Sequence, residues 1–435
     1  MSNAIIQPPE QCEVAIIGAG PSGLSVATEL KRLGVGSVVI LEREAQAGGI
    51  PRHCAHSPFG LREFKRIYNG AKYAGELSKR AINQGVIICL KSSVIAINKG
   101  GILELSTPDG MQILIAKKVI ICTGIRETPH ANRLVSGQRP MGILMTAALQ
   151  STIYLKHKRP FKHPVIVGTE LVSFSALLSC RHAGIQPIAM LEKNSRITAK
   201  WGMQLLAKIF GVPILYNTQL DEILGKQKVK AIKIDAKLPH SKKNNQTKKE
   251  VLQCDGVIFT GKFIAESSLL RMGHLEIDPS TGNPVIDQFG RCSDTDYFAT
   301  GNITHPVETA GYCWKDGLKT ARQVYASLKG ELDPYQQRIH IISTSSVIKY
   351  IIPQILATTA KGDHHKAQHL GLDSFQIRVT EAVKGHLSIR SGAKTLIQKT
   401  INTLPERRIN LDIPDSILIS KDCSDTPLQL YFEAI

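Results

Sequence analysis

The chain has 435 residues, 43% of them hydrophobic and 21% charged, a composition that describes a folded multi-domain protein and excludes a disordered or collagen-like one. Its formal net charge of +18 invites a nucleic-acid reading. The densest basic run, Lys237 to Lys249, argues against it: the run is polar, turn-rich and free of aromatics, as a solvated hairpin tip is and a strand-reading groove is not.

From Glu331 onward 12 Lys and Arg face 11 Asp and Glu, so the basic excess lies almost wholly before that point. Nine cysteines are scattered with no CxxC spacing. No stretch approaches the roughly 20 apolar residues of a membrane span, and the short polar start carries no secretory pattern. The expectation is a cytoplasmic protein with reduced thiols, no membrane span and no nucleic-acid partner.

In chain order, Glu13 to Ile17 reads as a buried parallel strand that runs into Gly18-Ala19-Gly20-Pro21-Ser22-Gly23. Pro21 to Leu33 carries Leu24, Ala27, Leu30 and Leu33 on one helical face, and Gly34 closes it. Ser37 to Leu41 is a second buried strand, with Glu42 directly after it. Val86 to Leu90 and Ile102 to Leu105 are short β-like pieces, and Pro108-Asp109-Gly110 is read as a hairpin turn. Val119 to Ile121 leads to Cys122-Thr123-Gly124.

A second βαβ unit follows. Val165 to Val167 runs into Gly168, Leu171 to His182 is helical, and Ile188 to Leu191 leads to Glu192. From Gly18 to Glu42 is 24 residues, and so is Gly168 to Glu192, which marks two copies of one device. Each copy is followed by a strand ending in Thr-Gly, the second at Thr260-Gly261. After Tyr335 short strands separated by Gly and Pro take over. Lys361 to Lys366, with His364 and His365, reads as an exposed loop and not as a metal site.

The expected fold is α/β: two Rossmann-like dinucleotide-binding domains of the three-layer ββα type, the second inserted in the first, plus a small C-terminal β-rich domain. Residues 10–125 and 285–333 would bind FAD. Residues 126–284 would be a degenerate NAD(P)-binding-like domain, and 334–435 a domain of unassigned role.

Gly18 permits the tight turn, Gly20 lets a pyrophosphate approach the backbone, and Gly23 allows close helix–strand packing, with the phosphates on the helix N-terminus at Pro21 and Ser22. Glu42 is spaced to accept hydrogen bonds from a ribose diol.

Asp296 to Asn302, followed by Pro306-Val307-Glu308-Thr309-Ala310-Gly311 and a helical stretch to about Leu328, resembles the flavin-contacting segment of the class II pyridine-nucleotide-disulfide oxidoreductases, above all their thioredoxin-reductase-like branch. The resemblance covers about residues 10 to 330. Gly48 to His56, Phe59 to Phe64 and Gly124 to Pro129 further resemble the FAD subunits of opine, proline and hydrogen cyanide-forming amine dehydrogenases.

The resemblance implies FAD held by Gly18, Gly20, Pro21, Ser22, Gly23, Glu42, Arg43, Gly49, Thr123, Gly124, Gly301, Asn302, Thr309 and Ala310. It also implies oxidation of a carbon–nitrogen bond by hydride transfer to flavin N5. Asn302 stands where the commoner pattern has Asp. The second helix N-terminus implied at Thr309-Ala310 would stabilise negative charge on reduced flavin.

Two departures bear on the reaction. Cys54 has no partner at CxxC or CxxxxC spacing, which sets disulfide exchange by that route aside. His53, Cys54 and His56 border the expected substrate position, where a histidine can serve as base. In the second unit Glu170 and Ser173 occupy the second and third glycine positions, so bulk and like charge stand against NAD(P) there. Only Cys423 follows Cys313, too few ligands for an iron–sulfur cluster in that domain.

The leading expectation is an FAD-dependent dehydrogenase or oxidase acting on a small amine or imino acid. Its electrons would pass to an unidentified acceptor, with oxygen, a quinone, a carrier or a partner subunit as the options. The alternatives are an NAD(P)H-dependent flavoprotein reductase and a non-catalytic FAD-binding subunit of an oxidoreductase complex.

Overall fold

The structure is a computed structural model that describes residues 6–237, 247–305, 308–332, 337–358, 371–405, 407–413 and 427–435. Residues 238–246 of the basic run, Pro306 and Val307, the loop Lys361 to Lys366 and Cys423 lie outside them.

Strand β1 (Gln11–Ile17) feeds helix α1 (Pro21–Arg32), which returns to β2 (Val38–Glu42). Pro21 stands at the first helical turn, where its missing N–H costs nothing, and Lys31 and Arg32 oppose the dipole at the last. The two strands pair in parallel from Val14↔Val38 to Ile17↔Leu41. Helix α2 (Gly70–Asn83) starts where the Asn69 side chain accepts from the Lys72 N–H at 2.9 Å, and it leads to β3 (Ile87–Leu90).

Strands β4 (Ser93–Asn98), β5 (Ile102–Thr107) and β6 (Gly110–Ile121) form an antiparallel meander. The β5–β6 turn closes at Thr107↔Gly110, on the expected Pro-Asp-Gly. The length of β6 also lets it run parallel to β1. The sheet order is β3-β2-β1-β6-β5-β4.

A second parallel sheet follows. In chain order it takes β7 (Ile143–Met145), β8 (Pro164–Val167), α3 (Leu171–His182), β9 (Ala189–Leu191) and β10 (Ile214–Leu215). An antiparallel set, β11 (Thr218–Leu224), β12 (Ala231–Lys237) and β13 (Thr247–Gln253), precedes its last strand β14 (Gly256–Phe259). The order β10-β9-β8-β14-β7 repeats the plan of the first sheet. Strand β15 (Tyr297–Ala299) then rejoins the first sheet beside β6, so the second unit is an insertion in the first. Helix α4 (Ala310–Leu328) completes the helical layer on the first sheet, with Ala321 and Val324 in its core.

The cores follow from strand alternation. Ile16 and Ile40 face Leu24, Leu30, Tyr73 and Val324 of the helices, whereas Ile17 and Leu41 face Leu103, Leu114 and Tyr297. In the second unit Ile166 and Ile258 face Phe174 and Leu177, whereas Val165 and Val257 face Ile223, Ile232 and Ile234. Helices on one face and a β-meander on the other make both units three-layered.

The C-terminal strands are β16 (Gln337–Ser343), β17 (Ile348–Ile352), β18 (Ile355–Thr358), β19 (Ser374–Val379), β20 (Lys384–Ser391), β21 (Lys394–Asn402), β22 (Ile409–Asp412) and β23 (Leu428–Ala434). They form a sheet β18-β16-β23-β20-β21 and a sheet β17-β19-β22 around one core of Ile339, Phe375, Ile377, Leu387 and Leu430. Tyr350 and Ile352 point the other way, into the core of the first sheet. Gln288 holds both backbone groups of Ala357, at 2.7 and 2.8 Å, across the same junction.

Candidate functional site

The turn after β1 assigns its three glycines different jobs. Gly18 has φ +107°, and a Cβ there would lie 2.6 Å from the Cys122 carbonyl oxygen. A Cβ on Gly23 would lie 2.0 Å from the Gly18 carbonyl oxygen, closer than any side chain can stand. A Cβ on Gly20 would meet nothing within 4 Å. Two of the glycines are therefore demanded by packing, while the third borders open space at a helix N-terminus. An anion fits there.

Glu42 is buried, and its carboxylate is held from two sides: the Ala19 N–H donates at 2.8 Å and the Glu44 N–H at 2.9 Å. Each oxygen keeps a lone pair for a ribose diol. Gly49 approaches Gly20 so closely that a Cβ on it would lie 2.9 Å from the Gly20 Cα. A Cβ on Gly301 would likewise lie 2.6 Å from the Ser22 Oγ, and the Ser22 hydroxyl bonds the Cys122 thiol. Gly18 to Gly23, Glu42, Gly49 and Gly301 thus meet around one turn. Pro21 is partly exposed beside them, and Arg43 is exposed past the end of β2.

Asn302 bridges its own loop. Its Oδ1 accepts from the Glu308 N–H at 2.8 Å, and its Nδ2 donates to the Glu308 carbonyl at 3.2 Å. One N–H of its amide is left for a ribityl hydroxyl. Thr309 caps α4 by backbone alone, and Ala310 opens the helix. Thr123 gives its hydroxyl to the Glu266 carbonyl at 2.9 Å, and Gly124 has room for a Cβ. The residues present fit FAD.

His53 closes the short 3-10 turn Ile50–His53, and its buried Nδ1 has no hydrogen-bond partner. Burial, then the Arg52 charge, holds its pKa below the usual histidine range, so the ring is neutral near pH 7. Cys54 is buried, and burial pushes its thiol to about 12. Its Sγ faces the Gln150 Oε1 at 3.8 Å. Gln150 donates to the Ser175 Oγ at 2.8 Å, and Ser175 meets the His56 Nε2 at 2.7 Å. This polar chain ties the Cys54 segment to α3 of the second unit. Of the three expected reactive residues, His53 alone offers a ring nitrogen with no partner.

The second turn is filled. The Glu170 carboxylate accepts from the Ser173 hydroxyl at 2.9 Å and from the Thr260 hydroxyl at 3.1 Å. It lies against Gly168 and Gly261, 2.3 and 2.7 Å from where their Cβ atoms would stand. Arg133, buried, donates to the Thr260 and Gly261 carbonyls at 2.9 and 2.7 Å. Glu192 holds the place of Glu42, but it is occupied by the Thr169 hydroxyl, the Asn194 N–H and the Thr198 hydroxyl.

Register corrects the sequence match of the two Thr-Gly pairs. Ile17 pairs with Ile121 and Val167 with Phe259, so Thr260 corresponds to Cys122 and not to Thr123. The hydroxyl that holds Glu170 is thus one the first turn does not have.

Arg133, Gln150, Ser175, Arg378 and Arg408 carry no local sequence signature. Each has a partner about 70 to 130 residues away.

Two doubly wound units, one inserted in the other, with an open glycine turn at the first, define a flavoprotein oxidoreductase of the two-dinucleotide-domain class. Residues 12–326 match the pyridine nucleotide-disulphide oxidoreductase family, and the chain belongs to it. It is an FAD-dependent oxidoreductase.

A search of curated proteins finds no match. Among solved structures, T. acidophilum thioredoxin reductase has a TM-score of 0.61 at 24% identity, covering 73% of this chain and 99% of its own. L-proline dehydrogenase from P. horikoshii has a TM-score of 0.54 at 15% identity, covering 74% of this chain and 57% of its own. A NAD-dependent persulfide reductase from A. fulgidus has a TM-score of 0.54 at 15% identity and covers 89% of this chain and 70% of its own, which takes the likeness of fold into the C-terminal sheets. No helix among the described residues is long and apolar enough to cross a membrane.

Proposed function

We propose that the chain is a dehydrogenase or oxidase that removes hydride from the carbon–nitrogen bond of a small amine or imino acid and passes the electrons to an acceptor other than NAD(P). FAD, when bound, supplies the hydride acceptor at N5. The observation that carries the reading is the filled second turn: Glu170, bonded to Ser173 and Thr260, takes the space a dinucleotide pyrophosphate needs. The single buried Cys54 supports it from the other side, since a neutral thiol without a partner cysteine does not exchange disulfides.

In this reading residues 10–125 with 285–333 hold FAD, through Gly18 to Gly23, Glu42, Arg43, Gly49, Thr123, Gly124, Gly301, Asn302, Thr309 and Ala310. Residues 126–284 are a degenerate NAD(P)-like domain, and 334–435 a third unit beside the substrate. His53, neutral, is the base in this reading: it takes one proton of the substrate ammonium, so that the nitrogen lone pair is free as hydride leaves carbon and an iminium forms. His56 and Cys54 position that segment against α3.

The test is anaerobic mixing of the FAD-loaded protein with NADH, with NADPH, and with a panel of amines, amino acids and imino acids. Bleaching of the flavin by a member of the panel and not by either nicotinamide is expected. Rapid bleaching by NADH or NADPH would replace this reading with a flavoprotein reductase.

A further inference from the structure

The C-terminal sheets bring two arginines to the N-terminal end of α4. Arg378 on β19 and Arg408 just before β22 stand on paired strands, whose register includes Ile377↔Ile409. Both donate to the same oxygen of Glu308: Arg378 through Nη2, and Arg408 through Nε at 3.1 Å. Arg62, from the segment after Gly60, lies with its Cζ 3.9 Å from the Tyr312 ring centroid, and the Arg408 Cζ lies 5.0 Å from the same centroid. A Cβ on Gly311 would lie 3.1 Å from the Arg62 Cδ. Three guanidiniums from distant parts of the chain thus converge on Glu308, Gly311 and Tyr312.

Among the described residues, Glu308 is the one carboxylate paired with Arg378 and Arg408. Two further acidic groups stand near with other hydrogen-bond partners: Asp316 faces His305 at 3.2 Å and feels the Arg408 charge, and Glu63, beside Gly311, accepts from the Tyr73 hydroxyl at 2.7 Å. No acidic side chain stands in the first turn of this 19-residue helix, so its N-terminal partial charge is uncompensated on the helix itself and favours an anion. Arg378 is 8% exposed and also bonds Tyr350, yet its Nε and the Arg408 Nη2 are buried without an acceptor among the described residues. Buried guanidinium donors left open are costly, and a second carboxylate would accept from the one open nitrogen on each arginine.

We propose that Arg62, Arg378 and Arg408 form a carboxylate-binding site at the N-terminus of α4, built jointly by the flavin unit and the C-terminal sheets. The substrate is then an amino or imino acid held by its carboxylate, not a bare amine. The specificity for the carboxylate rests on the amine-oxidation reading given above; the anion site itself does not.

The test uses the FAD-loaded full chain, with benzoate and its neutral analogue benzamide as probes. Binding is followed by calorimetry and by the flavin absorbance. Saturable binding of benzoate, with benzamide at least about tenfold weaker, is expected, and Arg378→Met and Arg408→Met should each weaken benzoate by about tenfold or more. Arg378→Lys and Arg62→Met cover the case in which a Met variant does not fold.

Equal binding of the two probes would overturn the site. So would variants that lower Tm while keeping the benzoate Kd within about twofold, which is what simple anchoring of the C-terminal sheets predicts. Benzoate binding that needs the arginines, in a protein that no amine or imino acid reduces, would leave the site standing and remove the amine reading. Bleaching by amines without a carboxylate as fast as by amino acids would do the reverse.

Discussion

Gly20 and Gly23 stand three residues apart in one turn and answer to different neighbours. Gly20→Ala places a methyl in open space, so unfolding of the FAD-free protein should move by no more than about 1 kcal/mol. The FAD Kd should rise at least about tenfold, because the methyl occupies the approach to the helix N-terminus. Gly23→Ala meets the Gly18 carbonyl and should cost about 3 kcal/mol of stability. Denaturant unfolding and flavin titration of the two variants separate these effects; equal losses of stability would refute the division of labour. Cys54 gives a second residue-scale prediction. With its thiol near 12, alkylation by iodoacetamide at pH 8 should be slow in the native protein, and Cys54→Ala should keep kcat within about threefold. Fast alkylation with loss of turnover would return Cys54 to the chemistry.

At the scale of elements, the two βαβ units share strand order, helix placement and a glutamate after the second strand, yet one turn is open and the other closed. The difference comes from Glu170 and from Thr260, whose hydroxyl stands 3.1 Å from the Glu170 carboxylate and 2.9 Å from the Val167 carbonyl and shares its one proton between them. Glu170→Ala should therefore lower stability by about 1–2 kcal/mol through the acceptor lost to Ser173 and Thr260. A stabilised variant in denaturant unfolding would show that the carboxylate is strained there and not a filler. The βαβ units were legible in the sequence because strand, turn and helix signals are local and period-based. The fate of the Glu170 side chain was legible only as a clash, since its partner Thr260 lies 90 residues away and one register position off the apparent match.

For the whole molecule, buried thiols set an alkaline limit. Cys12, Cys54, Cys122 and Cys180 are raised to about 12 and Cys89 and Cys254 to about 11, burial being the first cause in each. A thiol raised in the folded state is protonated there while the unfolded chain loses its proton near 9. Stability from this source is full below pH 9 and falls above it, to about 11 for Cys89 and Cys254 and to about 12 for the other four, by up to about 1.4 kcal/mol per pH unit for each thiol. Calorimetric Tm should be flat from pH 7 to 8.5 in this respect and drop steeply above 9; a Tm unchanged to pH 10.5 would show that the thiols are hydrated. At the same scale, Tyr350 and Ile352 join the C-terminal sheets to the first core, which the changed texture after Tyr335 did not foretell.

The amino-acid sequence by itself determined that this chain folds two nucleotide-type units and carries an open glycine turn at the first, Gly18 to Gly23. Everything in that inference lies within a few tens of residues, where helix and strand periods and turn chemistry act directly. Only the tertiary structure decided that Glu170 fills the second turn, that Cys54 is buried, that His56 meets Ser175 while the Nδ1 of His53 is without a partner among the described residues, and that Arg62, Arg378 and Arg408 converge on Glu308 and Tyr312. Burial and convergence across a hundred residues depend on how sheets pack, and packing leaves no spacing to read.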